Sequence, residues 1–259
     1  MSIKSYIANW LKTNHKELYD SIFPLYYYWM PKEAPVDDLI EKIAIKNNLS
    51  FFVQIGANDG VRNDPVYKLR RKYAWQGVLV EPQKNAYKKL QYNFQNDSSV
   101  SLVNAAISNF TGQEQLYKLS FCDDEWATAR STFRRETLEK SINAGIIDKI
   151  AHQNNIQLPA RKEDYISAEP VKCITFTDLF EENKVDQVDV LFVDTEGFDY
   201  EVLKLFDFNV YKPLIIQYEY KHLTLSDYRN SVRLMKNKGY KLYRKKDSDI
   251  LCIHHRALI

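Results

Sequence analysis

Residues 51–60 read FFVQIGANDG, a short apolar run followed by a loop that contains two glycines. The apolar run, Phe51–Ile55, is typical of a buried β-strand. Glycine has no side chain, so such a loop can bring its backbone close to a ligand. Asp64 and Pro65 follow as an N-cap aspartate and a first-turn proline, which together predict the start of a helix. The strand–loop–helix order predicts an α/β fold with a ligand site at the carboxyl end of this strand.

The spacing of the two glycines narrows the class of ligand. Gly56 and Gly60 are separated by three residues, whereas a dinucleotide site needs G-x-G-x-x-G and a P-loop ends in GKS or GKT. A nucleoside with a small charged tail, such as S-adenosylmethionine, fits this loop better than a pyrophosphate does. An ordinary βα turn without a ligand is the alternative that the loop by itself leaves open.

The composition favours one enzyme-sized domain without nucleic-acid-binding character. The chain has 259 residues, 45% of them hydrophobic, which predicts a single α/β domain over residues 1–259. Its 36 basic and 34 acidic residues leave a net charge of +2, which argues against a dedicated nucleic-acid-binding protein. Cys122, Cys173 and Cys252 fit neither a disulfide framework nor a zinc site. With no signal peptide and no membrane-spanning segment, the sequence predicts a cytoplasmic protein with reduced thiols.

Acidic and small residues follow the next two predicted strands. Residues 77–80 form an apolar run that ends at Glu81, 25 positions beyond Gly56. In nucleoside-binding α/β folds, an acid about 20 residues beyond the loop accepts hydrogen bonds from the ribose hydroxyls. A carboxylate suits this task because it only accepts, although a surface glutamate at a strand end is the alternative. The third predicted strand is followed by Asn104 and Ala105, which are suited to border an adenine ring.

Acidic residues are concentrated after two further predicted strands. The apolar strand Val190–Val193 is followed by DTEGFD at residues 194–199, and the next strand ends near Glu219 and His222. Because the carboxyl ends of parallel strands meet at one edge of a sheet, we expect these groups to face one pocket. The candidate catalytic residues are Asp194, Glu196, Glu219 and His222.

Two kinds of chemistry suit these candidates. A carboxylate or a histidine can accept the proton of a hydroxyl group, and clustered acids repel, which raises one pKa towards neutrality. A bound Mg²⁺ ion is the alternative, since Mg²⁺ prefers oxygen ligands. Asp199 is interpreted as a first-turn acid of the next helix, and His222 is as readily interpreted as a surface histidine.

A polar insertion interrupts the pattern of strands and helices at residues 120–170. Two predicted strands, residues 113–119 and 171–176, flank it and are expected to pair. A long insertion of this kind forms either a lid over the site or a solvent-exposed segment without a functional role. The residues in it that are candidates for contact with a substrate are Trp126, Arg130, Ser131 and Thr132.

The two ends of the chain extend the predicted sheet. Residues 1–50 predict a helical N-terminal extension, with an aromatic cluster at residues 22–30. This cluster is expected to pack on the sheet, and the alternatives are a homodimer surface or a substrate wall. Residues 239–254 predict a terminal antiparallel hairpin, so the sheet is expected to be mostly parallel with one reversed strand.

Together these motifs resemble the FkbM family of class I S-adenosylmethionine-dependent methyltransferases. The resemblance covers roughly residues 50–255, and its most specific part is the DTEG block. The segments that carry it are residues 54–60, 80–82, 104–106, 189–197 and 200–203. It implies a Rossmann-like, mostly parallel seven-stranded sheet, and methyl transfer, usually to a hydroxyl oxygen. The acceptor would be a small molecule or a carbohydrate.

The resemblance also implies roles for individual residues. Residues 56–58 would face the methionine part of S-adenosyl-L-methionine, Glu81 would hold its ribose, and Asn104 and Ala105 would border its adenine. Asp194 would lie beside the sulfonium and the acceptor. The full set expected to bind the cofactor is Gln54, Gly56, Ala57, Asn58, Asp59, Glu81, Asn104, Ala105 and Asp194.

Three other functions compete with methyl transfer to a hydroxyl group. A nucleotide-dependent oxidoreductase is disfavoured by the missing third glycine of its fingerprint. A non-catalytic binding module with the same fold has no need for an acid cluster at the mouth of the site. A nucleic-acid methyltransferase would be expected to carry an NPPY or DPPY motif after Val190–Val193 and a basic stripe, and the sequence has neither.

Overall fold

The computed structural model describes residues 31–62, 64–245 and 248–257. Its strands are β1 (Lys32–Glu33), β2 (Phe51–Ile55), β3 (Gln76–Val80), β4 (Val100–Val103), β5 (Ala106–Ile107), β6 (Gly112–Leu119), β7 (Ile166–Ile174), β8 (Val190–Val193), β9 (Ile215–Glu219), β10 (Tyr240–Lys245) and β11 (Asp249–His254). Its α-helices are α1 (Val36–Asn47), α2 (Pro65–Tyr73), α3 (Lys84–Phe94), α4 (Glu125–Thr128), α5 (Arg135–Asn143), α6 (Ile146–Gln153), α7 (Phe176–Glu182), α8 (Asp199–Leu205) and α9 (Leu225–Asn237). A short 3₁₀ helix covers Lys162–Tyr165.

The main sheet has the strand order β1-β10-β11-β9-β8-β2-β3-β4. Strands β4, β3, β2, β8 and β9 run parallel, and β11 is antiparallel to both of its neighbours, β9 and β10. This confirms the predicted mostly parallel sheet with a reversed strand in the terminal hairpin. The two-residue β1, which pairs parallel with β10, adds an eighth strand to the seven expected. Two residues are too few for a sequence pattern to reveal.

Both faces of the main sheet are covered, so its central strands are apolar on both sides. Val53 and Leu191 belong to the hydrophobic cluster on one face, and Phe52 and Phe192 belong to the cluster on the other. Successive side chains of a strand point to opposite faces, which explains this alternation. Because β3, β2, β8 and β9 are parallel neighbours, their carboxyl ends lie side by side along one edge of the sheet.

The insertion is more ordered than the irregular segment that the sequence suggested. Strands β6 and β7 pair in register from Gly112 with Cys173 to Leu119 with Ile166, which confirms the predicted pairing and extends β7 towards the N-terminus. Helices α4, α5 and α6 pack in a small hydrophobic core of their own, whose buried members include Leu138, Ile147 and Tyr165. Sparse apolar residues on each short helix supply this core, and none is prominent in the sequence by itself.

The N-terminal extension is described only from residue 31. The predicted α1 is confirmed, with Val36, Ile40 and Ile43 buried on one face. The rest of the predicted helical extension, residues 1–30 with the aromatic cluster at residues 22–30, lies outside the described residues. Among the helices that the structure describes, none combines the length and the apolar character needed to cross a bilayer.

Candidate functional site

A cleft opens at the carboxyl edge of the main sheet. Its walls include Gly56 after β2, Glu81 after β3, Ala105 before β5 and Asp194 after β8. Ser131, Thr132 and Phe133 of the insertion line the cleft on the side facing these strand ends. The strand ends that the sequence marked as polar or small are therefore brought together around one cavity.

Gly56 allows β8 to approach the first loop. Its φ is +83°, and a Cβ atom built on it would lie 1.8 Å from the carbonyl oxygen of Asp194. The backbone N–H groups of Gly56 and Ala57 both donate to the carbonyl of Val80, at 2.9 and 3.0 Å. The backbone N–H of Asp194 donates to the carbonyl of Ile55 at 2.9 Å. These bonds extend the strand pairing into the loops and hold the floor of the cleft.

Glu81 lies at the end of β3 with its carboxylate against the same loop. It is 3% exposed, and its two oxygens accept from the backbone N–H groups of Asn58 at 2.9 Å and Gln83 at 2.8 Å. Burial raises the pKa of the Glu81 carboxyl to about 7, partly offset by these two hydrogen bonds. Each carboxylate oxygen has a further lone pair, so Glu81 retains acceptor capacity towards the cleft.

Several residues expected to touch a cofactor have other partners. The side-chain amide of Asn104 donates to the carbonyls of Glu81 at 2.8 Å and Pro82 at 3.1 Å, and Asn104 is not among the residues that line the cleft. Ala57 is buried in the core instead. The Asp59 carboxylate accepts from the backbone of Val61 and caps the turn. These residues shape the loop and the strand end, and Ala105 lines the cleft beside them.

Gln54 faces a second, smaller cavity on the other side of Asp194. Gln217, Asp249 and Lys245 also line this cavity. The Gln54 amide nitrogen donates to Asp64 at 2.7 Å, and its amide oxygen is buried without a hydrogen-bond partner in the described parts of the chain. The amide oxygen of Gln217 is likewise buried without a hydrogen-bond partner among the described residues. This cavity therefore offers acceptors that suit a positively charged group.

The acidic residues after β8 and β9 form a cluster, the acid cluster, which comprises Asp194, Glu196, Asp199 and Glu219. The side chain of Asp194 is exposed to the cleft. The protein atoms around its carboxyl nevertheless reduce its contact with water, which disfavours the charged form and raises its pKa to about 6, and the charges of Asp249 and Asp64 add to the shift. Burial, followed by the charge of Asp194, raises the pKa of both Glu196 and Asp199 to about 8. Burial and the charge of Glu196 raise that of Glu219 to about 10. Close carboxylates oppose each other's ionisation, so the cluster has a strong affinity for positive charge.

Asp199 has a larger structural role than a first-turn acid. It is fully buried, and its carboxylate accepts from the backbone N–H groups of Thr195 at 3.4 Å, Gly197 at 3.1 Å and Glu219 at 3.2 Å. It thereby joins the loop after β8 to the end of β9. Its sequence position at a helix start gave no sign of a partner 20 residues away. The buried hydroxyl of Thr195, which has no hydrogen-bond partner among the described residues, is a second site feature that the sequence did not reveal.

Glu196, Glu219 and His222 lie close together beside the cleft, and of the four candidate catalytic residues only Asp194 and Glu196 line it. The His222 Nε2 atom is 3.2 Å from Glu196 Oε2 and 3.8 Å from Glu219 Oε1. Gly197, with a φ of +102°, allows the two loops to meet, because a Cβ atom there would lie 3.0 Å from the carbonyl oxygen of His222. The four candidate catalytic residues therefore lie at neighbouring strand ends, as expected from the sheet order.

The insertion covers the cleft through contacts to both walls. The Ser131 hydroxyl donates to the Gln83 side chain at 3.0 Å, beyond the end of β3. On the other wall, the rings of Phe133 and Phe198 lie 5.6 Å apart between centroids. Ser131 and Thr132 line the cleft, whereas Trp126 and Arg130, the other two candidates for substrate contact, are not among its lining residues. Arg130 donates to the backbone carbonyl of Trp126.

Several solved structures match this chain at low sequence identity and modest TM-scores. Methyltransferase FkbM from Methylobacillus flagellatus KT matches at 11% identity and a TM-score of 0.46, over 78% of this chain and 43% of that chain. This chain thus spans less than half of that protein. An O-methyltransferase from Bacillus cereus in complex with SAH matches at 8% identity and a TM-score of 0.43, over 96% and 97% of the two chains. A putative caffeoyl-CoA O-methyltransferase from Staphylococcus aureus matches at 10% identity and a TM-score of 0.41, over 97% and 98%.

Sequence comparison places the chain in a family. No curated protein is similar enough to count as a match. The sequence model of the methyltransferase FkbM domain matches residues 54–242, which span the first loop and the acid cluster and end at the start of the terminal hairpin. The match covers well more than half of the chain and includes the carboxyl end of each strand that contributes to the cleft, and the protein therefore belongs to the FkbM methyltransferase family.

Proposed function

We propose that this protein transfers the methyl group of S-adenosylmethionine to a hydroxyl oxygen of a sugar, a glycan or a small metabolite. The observation that carries the proposal is the placement of Glu81 and Asp194 on opposite walls of one cleft in an FkbM methyltransferase domain. Glu81 suits the ribose end of the cofactor, and Asp194 lies where the acceptor would meet the methyl group.

The cleft and the second cavity together offer groups suited to each part of the cofactor. The Glu81 carboxylate accepts hydrogen bonds from the ribose hydroxyls, as an acid at this position does in related folds. Gly56 lets the cofactor lie against the loop backbone, and Ala105 leaves room for the adenine. The unpaired amide oxygens of Gln54 and Gln217 in the second cavity suit the ammonium group of the methionine part.

Methyl transfer is an in-line displacement at the methyl carbon. The bond from carbon to the acceptor oxygen forms as the bond from sulfur to carbon breaks, and sulfur keeps the electron pair as S-adenosylhomocysteine. Alignment of the acceptor supplies much of the rate, because the sulfonium is already electrophilic. The acceptor hydroxyl must also lose its proton. Asp194 suits this role because its carboxylate faces the cleft and makes no hydrogen bond or ion pair within the described residues.

The acceptor is expected to enter between the insertion and the loops after β8 and β9. Phe133 and Phe198 offer apolar surface there, and Arg134 lies 3.7 Å from Glu201 across the same gap. An aromatic wall beside hydrogen-bonding groups suits the faces and hydroxyls of a sugar ring. A nucleic acid is not proposed as the acceptor, because the net charge of the chain is only +2.

We propose a cytoplasmic location and a homodimer as the setting for this activity. Cys122, Cys173 and Cys252 are free thiols, which suits a reducing compartment. Light scattering on the purified protein checks the homodimer, and imaging of a tagged protein in its own cells checks the location.

A Glu81→Ala variant is expected to bind S-adenosylhomocysteine more weakly by about 1–3 kcal/mol, because the ribose hydroxyls lose their acceptor. The variant also leaves two backbone N–H groups without partners, so its melting temperature falls before any ligand is added. Isothermal titration calorimetry therefore measures the binding directly.

The control for this substitution is Glu114→Ala, which removes an exposed acid of β6 away from the cleft. It should bind S-adenosylhomocysteine as the wild type does. Neither this control nor the wild type should bind NAD. Wild-type affinity in Glu81→Ala would remove the ribose assignment. Binding of NAD without binding of S-adenosylhomocysteine would support the oxidoreductase alternative.

The insertion is proposed to act as a lid, and residues 125–143 are expected to gain protection from hydrogen exchange when S-adenosylhomocysteine binds. The reason is that Ser131 and Phe133 connect the insertion to both walls of the cleft. Helix α9, on the outside of the sheet, serves as the reference and should not change. Equal, high protection of the insertion with and without ligand would identify it as a permanent brace.

A further inference from the structure

The three side chains of Glu196, Glu219 and His222, here called the Glu–His cluster, have the spacing of metal ligands. One ligand atom from each can be chosen so that all lie within 4.8 Å of one another. Oxygen and nitrogen ligands of a shared ion lie about 2.0–2.2 Å from it, and so about 3–4 Å from each other. The separations of 3.2 and 3.8 Å from His222 Nε2 to the two carboxylates fall in that range.

One atom of this cluster needs a partner that the chain does not supply. Glu219 is 8% exposed, and its Oε2 atom is buried without a hydrogen-bond partner in the part of the chain that the structure describes. A buried carboxylate oxygen without a partner carries a large desolvation cost. An ion pair between His222 and Glu196 leaves this oxygen unsatisfied, whereas a cation that Glu219 binds through both of its carboxylate oxygens would give it a partner.

Nearby basic groups do not neutralise the cluster. Lys221 is exposed, and although its charge favours ionised carboxylates, it forms no salt bridge within the described residues. Asp194 and Asp199 add two more carboxyl groups to the same region. Within the described residues, no lysine or arginine forms a salt bridge with Glu196 or Glu219.

The backbone holds the Glu–His cluster in place before any ligand binds. Glu196 has a φ of +52°, a left-handed conformation that is unusual for a residue with a side chain. Asp199 holds the surrounding loop and the Glu219 backbone through its three hydrogen bonds. The ligand set is thus prearranged and does not depend on a mobile loop.

We propose that Glu196, Glu219 and His222 bind one divalent first-row transition metal ion beside the cleft, which Glu196 lines. One imidazole nitrogen and two carboxylates suit Mn²⁺ or Zn²⁺ better than Mg²⁺, which favours oxygen ligands alone. The side chains of Glu196 and His222 are 24% and 35% exposed, so the site keeps open positions for water or a hydroxyl group. If the proposed function holds, on which this role rests, the ion orients the acceptor hydroxyl and lowers its pKa.

Binding of Mn²⁺ tests the site without any methyl acceptor or cofactor. Chelator-treated protein is titrated with Mn²⁺, and loss of the free-ion signal in electron paramagnetic resonance counts the bound ions. We expect one ion per wild-type chain, and Glu219→Gln and His222→Ala each to weaken binding about tenfold or more. Glu196→Gln, which changes the more exposed of the two glutamates, provides a third variant. Added Zn²⁺ should displace the bound Mn²⁺, and Mg²⁺ should displace it only at much higher concentration.

Glu181→Gln and His152→Ala are the matched controls, because they make the same chemical changes outside the cluster. Glu181 is exposed on α7, and His152 is exposed on α6. Both should bind Mn²⁺ as the wild type does, and circular dichroism checks that every variant is folded. Absence of saturable Mn²⁺ and Zn²⁺ binding would overturn the metal site, and so would binding that none of the three cluster variants weakens. Methyl transfer that persists in chelator would then leave the proposed function standing, whereas Mn²⁺ binding without methyl transfer would remove the function and keep the site.

Discussion

An Asp194→Asn variant is expected to keep its fold and most of its affinity for S-adenosylmethionine while its turnover falls about 100-fold or more, the range for loss of an acid–base group. Asparagine has nearly the same shape as aspartate, so the packing at the end of β8 is retained. The backbone N–H of Asp194 still donates to the Ile55 carbonyl. Under the proposed function, the variant loses the charge that would lie beside the sulfonium and the carboxylate that would accept the acceptor's proton.

The stability of this variant distinguishes a catalytic role from a structural one. The charge of Asp194 raises the pKa of Glu81, Glu196, Asp199 and Glu219, so its removal relieves repulsion within the acid cluster. We therefore expect an unchanged or slightly higher melting temperature together with the lower turnover. Asp186→Asn, which changes an exposed aspartate outside the cleft, should alter neither quantity.

The measurement is transfer of a labelled methyl group from S-adenosylmethionine to sugars, lipids and small metabolites extracted from cells. Wild-type turnover is determined first, and the variants follow with the acceptor that it identifies. Near-normal turnover by Asp194→Asn would show that the acid cluster is structural, and the proton acceptor would have to be sought elsewhere.

A Gly56→Ala variant is expected to lose at least about 4 kcal/mol of its free energy of unfolding, a loss that only severe disruption of a core produces. The φ of +83° is unfavourable for alanine, and the added Cβ would lie 1.8 Å from the Asp194 carbonyl oxygen. That carbonyl cannot retreat easily, because the neighbouring N–H of Asp194 is bonded to Ile55. The substitution therefore forces β8 away from the first loop and opens the floor of the cleft.

Gly145→Ala separates the clash from the backbone preference. Gly145 has a φ of +69°, in the same left-handed region, but nothing lies within 4 Å of a Cβ atom placed there. We expect this control to lose only about 1–2 kcal/mol, the cost of a left-handed residue with a side chain. Urea denaturation gives both free energies of unfolding, and recovery of soluble protein serves if Gly56→Ala does not fold. Equal losses in the two variants would show that the space beside Asp194 is not what demands glycine.

Much of the local structure was predictable from residues that are close in the sequence. Phe51–Ile55 forms β2 as its apolar run predicted, and Asp64 caps α2 by accepting from the backbone N–H groups of Val66 and Tyr67 at 2.8 and 2.7 Å. Such elements depend on short-range hydrogen bonds and on side-chain periodicity. The edge of the sheet that carries Glu81, Asp194 and Glu219 was also predictable, because each acid ends or directly follows an apolar parallel strand.

The directions of the side chains, and therefore their partners, required the tertiary structure. Asn104 reaches back to the carbonyls after β3, and Gln54 faces a second cavity on the far side of Asp194. Neither choice follows from residue type, because an amide can satisfy its hydrogen bonds in either place. Asp199 shows the same principle, since its bond to the Glu219 backbone exists only when β8 and β9 are neighbours.

The sequence by itself therefore determined the α/β class, the order of the strands and helices, and the set of acids at one edge of the sheet. The tertiary structure decided which of them face the cleft, how the insertion builds its own core, and that Glu196, Glu219 and His222 converge. The physical reason is the distance along the sequence over which each kind of interaction acts. Periodicity and capping act within a few residues, whereas the convergence of these three side chains depends on Gly197 and Asp199 drawing together two loops that only the order of strands in the sheet makes adjacent.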